Sequence, residues 1–307
     1  MRLLPRLLAL LLAQHVWAEV LDGEARIYLF HNFLTDEECD HIVGKAEPRL
    51  QRSGVVDTSS GGSEVSEIRT SSGMFFSRGE DAVIQDIEER ISRWALLPAG
   101  HGEGMQVLRY NHNQKYEPHF DYFFHKEGTA NGGNRYATVL MYLSDVEEGG
   151  ETIFPNLPAP KTRDNSGFSD CAKPHVAVKP RKGDAVLFHS IRPTGEIERR
   201  SMHGACPVVK GIKWSAAKWM HVAHYAADGE VPVEVKQHVQ EVVGPGGCKD
   251  AAGAECEAWA LAGECTKNPG YMIGTIAKLG NCLRSCDRCD LHLAAQKKGS
   301  RKFAAED

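Results

Sequence analysis

Two patterns of apolar positions divide this chain. In its first third, hydrophobic residues return at intervals of three and four, as they do on one face of a helix. "FLTDEECDHIVGKAEPRL" opens with Thr35 at an N-cap position before a run of acids, and Leu34, Cys39, Ile42 and Val43 follow at helical spacing. "EDAVIQDIEERISRWALL" repeats the pattern, with Val83, Ile84, Ile87, Ile91 and Trp94 on one face. The stretch between them, "SGVVDTSSGGSEVSEIRTSSG", is polar and rich in Gly and Ser. A segment of that length in a compact domain is expected to be a mobile loop with a function, such as a lid. After Leu97 the period shortens to that of strands. "MQVLRYN", "ATVLMYLSDV", "GGETIFP", "HVAVKP", "GDAVLFHS" and "KWSAAKWMHVAHY" are short apolar or alternating runs punctuated by Gly, Pro and Asn. Helices followed by many strands predict a mainly β fold with flanking helices (α+β), a sandwich or barrel buttressed by those helices.

These patterns place one large domain at 19–226, a charged connector ending in Gly and Pro at 227–247, a small cysteine-rich module at 248–289 and a polar tail at 290–307. No internal repeat is visible. The opening "MRLLPRLLALLLAQHVWA" has two arginines, an apolar run and small residues at Val16 and Ala18, and predicts a secretory signal peptide over 1–18. That run falls short of the roughly 20 apolar residues of a membrane span, so no stable span is expected once it is cleaved. An uncleaved lumenal anchor is the alternative.

Composition changes little in this picture. The chain has 307 residues, 42% hydrophobic and 25% charged, with a net charge of -5, which is ordinary for a globular protein. No basic run is longer than the tail "KKGSRK", and nucleic-acid binding is not expected. Cysteine usage says more. Of nine cysteines, Cys248, Cys256, Cys265, Cys282, Cys286 and Cys289 crowd into the module, and in a secreted chain they imply a disulfide framework. "CLRSCDRC" contains a zinc-like C-x-x-C, but an oxidising lumen favours bridges and no histidine joins the cluster. Spacing leaves the pairing open. Cys39, on the apolar side of its helix, is expected to be a buried free thiol.

Candidate chemistry begins at "YEPHFDYF". Residues two apart on a strand face the same way, so His119 and Asp121 would present an imidazole and a carboxylate side by side. With a second histidine they would leave three positions of an octahedral metal open, the arrangement of non-haem Fe(II) oxygenases. The triplet alone is a weak signal. His175, His189, His203 and His221 all lie in or near strand-like text, and periodicity does not choose among them.

Taken together, "LRYNHNQKYEPHFDYF", "TVLMYLSDVEEGGETIFP", "VKPRKGDAVLFHS" and "SMHGACPVVKGIKWSAAKWMH" resemble the catalytic domain of prolyl 4-hydroxylases of the plant and algal kind, over roughly residues 25–225. The resemblance implies a double-stranded β-helix (jelly-roll) core. It implies His119, Asp121 and His203 as ligands of Fe(II), and Lys213 as the partner of the distal carboxylate of 2-oxoglutarate. Tyr110 and Thr152 would contact that cosubstrate, and Trp219 would stand near the iron. Lys213 lies within apolar text, and a buried lysine needs an anionic partner. The implied reaction consumes 2-oxoglutarate and O2, releases succinate and CO2, and hydroxylates peptidyl proline at C4. L-ascorbate would rescue oxidised iron. Arg69, Arg135 and His221 match positions near the peptide groove, and the polar loop at Glu64–Ser72 would close over a proline-rich peptide in polyproline II conformation.

Hydroxyproline-rich glycoproteins are the expected substrates, and the lumen of the endoplasmic reticulum or Golgi the expected compartment. The final "KFAAED" carries no retrieval tetrapeptide, so secretion stays open. The module resembles a ShKT domain, which implies Cys248–Cys289, Cys256–Cys282 and Cys265–Cys286, and makes it a candidate protein-docking site. It lacks the toxin-type Lys-Tyr pair at "KLGNC". Cys171 and Cys206 are candidates for a fourth bridge. Two alternatives remain at this level: an oxygenase acting on another residue or a small substrate, and a non-catalytic lumenal binding protein.

Overall fold

Alternation in the strand-like text resolves into two faces of one large sheet. The computed structural model describes residues 16–53, 55–56, 63–64, 69–124, 127–227, 243–253, 255–261 and 263–303. The sheet has eight strands, all antiparallel, in the order Trp17–Asp22, Ile27–His31, Ala185–His189, Arg135–Tyr142, Lys213–His221, Met105–Tyr110, Ser72–Phe76, Gln51–Arg52. Its convex side carries Val107, Ala137, Val139, Met141, Ala216 and Met220, which pack on Ile42, Ile84, Ile87 and Ile91.

Those isoleucines come from the two helices read in the sequence, Asp36–Ala46 and Ala82–Ala95. Thr35 caps the first in a full capping box with Glu38. Asp81 caps the second by accepting from the Ile84 amide, and Leu96 ends it in a left-handed conformation. Arg90 joins the helices by forking onto Glu38, at 2.6 and 2.9 Å. Cys39 is fully buried and free, and burial pushes its thiol up to about 12.

A second sheet of four strands, His175–Val178, Thr152–Pro158, His203–Ala205 and Tyr116–His119, forms the opposite wall. Two antiparallel sheets enclosing an apolar interior make the double-stranded β-helix. Phe154, Val176, Val178, Val186 and Phe188 fill the space between them at one end. At the other end lies the cavity described below. Cys171 and Cys206 are bridged and tie a surface loop to the end of strand His203–Ala205.

The module is held by Cys248–Cys289, Cys256–Cys282 and Cys265–Cys286 around a small core of Cys256, Met272 and Cys282. Each bridge contributes about 2–4 kcal/mol, chiefly by restricting the unfolded chain. An ion pair between Arg199 and Glu257, 3.3 Å long, links the module to the large domain.

Three sequence expectations change or fall outside view. The polar tail is a helix from Cys289 to Phe303, because "LHLAAQKK" is made of good helix formers. Residues 1–15 of the predicted signal peptide lie outside the described residues, whereas Trp17 and Ala18 pair with His31 and Phe30. Most of the expected lid also lies outside them. Its described part pairs Val55–Val56 with Ser63–Glu64, and Ser72 already belongs to the large sheet. Among the described residues no helix is long and apolar enough to cross a membrane.

Candidate active site and metal centre

The concave face of the large sheet presents alternate residues of its central strands. Lys213, Ser215, Ala217 and Trp219 come from one strand, Gln106, Leu108 and Tyr110 from its neighbour, and Thr138 and Leu140 from the other. With Tyr116, His119, Asp121, Thr152 and His203 from the opposite wall they line a cavity of about 470 Å³, open mouth included.

His119 and His203 face each other across adjacent strands of the small sheet. Each ring is oriented from behind: His119 Nδ1 lies 2.8 Å from Glu117 O, and His203 Nδ1 lies 3.0 Å from Ser201 O. A carbonyl only accepts, so each Nδ1 carries the proton and each Nε2 turns a lone pair into the cavity. Asp121 completes the group, its carboxylate 3.8 Å from His119 Nε2 and 3.7 Å from His203 Nε2. One ligand atom from each residue lies within 4.8 Å of the others.

The expectation that both members of the H-x-D pair ride one strand needs correction. The strand ends at His119, and Asp121 stands in the bend beyond it. Its partner there is the Thr138 hydroxyl, which donates to Oδ2 at 2.6 Å. Thr138 was not singled out in the sequence. Its signal was a hydroxyl on the inward face of an otherwise apolar strand.

Protonation in the cavity suits a divalent cation. Burial, reinforced by the neighbouring His203, holds His119 far below the usual imidazole range. Burial alone would raise Asp121, but the two imidazoles, Arg135 and the Thr138 hydroxyl outweigh it and keep the carboxyl low. Two imidazoles that turn Nε2 inward and one carboxylate, with their ligand atoms within 4.8 Å of one another, fit Fe(II).

Lys213 lies at the far end of the central strand, directly opposite Tyr110, and is 1% exposed. Its ammonium donates to Gly150 O at 2.7 Å, and it forms no ion pair with a carboxylate among the described residues. Burial pulls it down to about 7, against the opposing pull of Glu151. Tyr142 donates to Thr152 Oγ1 at 2.9 Å beside it. A buried cation at the end of a cavity, facing hydroxyls and with no carboxylate in contact among the described residues, has the chemistry to receive a small anion.

The candidate peptide residues divide. Arg69 lines the cavity, donates to Gln106 Oε1 at 2.8 Å and lies over the Tyr116 ring. Arg135 and His221 do not line it. Both converge on Glu103, with His221 Nε2 2.8 Å from its carboxylate and His221 Nδ1 2.8 Å from Gly133 O. Arg135 stacks on Trp219, 3.9 Å from the ring centre, and so backs the cavity wall. Glu103, which the sequence reading missed, is pulled to about 2 by Arg135 and His221 although burial opposes this.

Fold and site together define a 2-oxoglutarate- and Fe(II)-dependent oxygenase. Residues 105–221 match the 2OG-Fe(II) oxygenase superfamily. Probable prolyl 4-hydroxylase 4 of Arabidopsis thaliana is 47% identical over 271 residues, 87% of this chain and 86% of that protein. Prolyl 4-hydroxylase 2 of the same plant is 46% identical over a similar span, 87% of this chain and 86% of that protein. The structure of a viral collagen prolyl hydroxylase from Paramecium Bursaria Chlorella virus-1, in a 2OG complex, is 25% identical. It covers 66% of this chain and 98% of its own, with a TM-score of 0.47. The chain belongs to the prolyl 4-hydroxylase family, and its activity is 2-oxoglutarate- and Fe(II)-dependent hydroxylation of proline. A non-catalytic binding protein is thereby set aside.

Proposed function

We propose that His119, Asp121 and His203 hold the Fe(II), and that Lys213, with Tyr110 and Thr152, receives the distal carboxylate of 2-oxoglutarate. Bound iron supplies O2 activation coupled to decarboxylation of the cosubstrate, with one oxygen atom going to succinate and one to the proline hydroxyl. The chain's own residues bind and orient. With His119, Asp121 and His203 as its only donors from the chain, such a cation would keep room for the cosubstrate and O2. Lys213 anchors the other end, which fixes the direction in which the cosubstrate lies. Leu108, Leu140, Phe188 and Ala217 keep the interior dry.

The observation that carries this reading is the convergence of two imidazole Nε2 atoms and a carboxylate in the same cavity as a buried lysine that has no ion pair among the described residues. Trp219 and Arg69, at the rim, are the residues we assign to the peptide. Arg135 and His221 act by holding Trp219 and Glu103. A proline-rich peptide in polyproline II conformation suits such a rim, since it is already extended and loses little entropy on binding. We further propose hydroxyproline-rich secretory glycoproteins as substrates, and the lumen of the secretory pathway as the site of action. The four disulfides support that compartment. The ShKT-like module is proposed to recruit a protein partner beside the catalytic domain.

The test is mass spectrometry of proline-rich peptides incubated with enzyme, Fe(II), ascorbate and 2-oxoglutarate. A 16 Da gain on proline with stoichiometric succinate is expected, and its loss in His119→Ala and His203→Ala. Hydroxylation surviving either substitution would refute the ligand assignment.

A further inference from the structure

Asp121 stands two residues beyond the strand Tyr116–His119, outside the ladder that sets His119 against His203. No register therefore fixes its carboxylate plane, and the terminal torsion of an aspartate is soft. The group that meets it is the Thr138 hydroxyl, 2.6 Å from Oδ2, with both side chains buried. Thr138 itself is firmly carried. It lies in the middle of strand Arg135–Tyr142, paired with Phe188 on one side and Trp219 on the other. Its β-branched side chain has few rotamers available.

We infer that Thr138 is a positioning residue of the metal centre. By engaging one carboxylate oxygen, it holds Asp121 as a one-oxygen ligand and prevents the carboxylate from turning both oxygens onto the cation. That keeps three positions open for cosubstrate and O2. A valine of the same shape would remove the donor and free the carboxylate to rotate. The inference rests on the metal assignment proposed above.

The test titrates the full-length apoprotein with Co(II), following heat release and visible absorption, with no cosubstrate present. Thr138→Val is expected to weaken Co(II) binding about 10–100-fold, the usual cost of losing a group that orients a ligand. It should also change the Co(II) band intensity, which reports coordination number. Thr138→Ser keeps the donor and should bind within about threefold of the parent, well inside the loss expected for Val. If Val lowers the melting temperature, the comparison of Thr138→Ala with Thr138→Ser decides the same point. His119→Ala separates the two levels of argument. If it loses Co(II) while Thr138→Val binds normally, the role of Thr138 is overturned and the metal assignment stands. If His119→Ala binds as the parent does, the metal assignment fails first.

Discussion

Lys213 sits where a charge is costly. In the unfolded chain an ordinary lysine keeps its proton to above pH 10, whereas the buried one loses it near 7. Between those values the unfolded state binds more protons, so this residue's contribution to stability rises with pH and is least favourable below 7. Cosubstrate binding runs the other way, because the incoming carboxylate needs the ammonium. With Mn(II) present, 2-oxoglutarate affinity is expected to fall about tenfold from pH 6 to pH 8, the loss a group titrating near 7 produces. Lys213→Arg should flatten that profile, because guanidinium stays charged. Lys213→Met should lose cosubstrate binding yet keep or raise the melting temperature, since it deletes a buried charge that Glu151 offsets only in part. Calorimetric titration and thermal melts read both outcomes. At the same scale, the Cys39 thiol, buried and pushed up to about 12, should resist alkylation at pH 7 until the chain unfolds.

At the scale of elements, the site depends on a few junctions. Gly149, before the Gly150 carbonyl that holds Lys213, has φ +78, and an added Cβ would come 2.7 Å from Val209 N. Gly149→Ala is therefore expected to destabilise by about 2–3 kcal/mol, combining left-handed strain with a backbone clash, as urea denaturation would record. The helix Ala82–Ala95 matters differently. Its buried Ile87 supports the convex face of the sheet whose concave face is the cavity. Ile87→Ala should cost about 2–5 kcal/mol in the same measurement through the cavity it leaves. The proposed metal ligands lie on the other wall, so metal affinity in the surviving folded fraction should hold.

For the whole molecule, two kinds of stabilisation sit side by side. The large domain rests on a broad apolar core, and the module on three bridges around a few side chains. Gentle reduction should therefore open residues 248–289 first. Limited proteolysis would then cut the module while residues 69–124 and 127–227 stay intact; simultaneous loss of both parts would contradict this. Without reduction, peptide mapping should return four bridges and one free cysteine.

Helix faces and strand faces are periodic, and burial follows period, so Ile84, Ile87 and Ile91 and the runs from "MQVLRYN" to "KWSAAKWMH" could be assigned without coordinates. His119, Asp121 and Lys213 stood out as candidates because "YEPHFDYF" and "GIKWSAAKW" are local text with a strong family likeness, and the structure brings all three to one cavity. Choosing His203 from four histidines was beyond periodicity, because it depends on which strand lies beside Tyr116–His119. The Asp121–Thr138 bond was equally hidden, since it joins residues 17 apart across the two walls. So was the retreat of Arg135 and His221 onto Glu103, which only the folded chain brings within reach. Local chemistry and period were properties of the sequence by itself. Which side chains share the cavity, and which stand behind its wall, was decided by strand order and register, and these are set by long-range packing that no short stretch of chain contains.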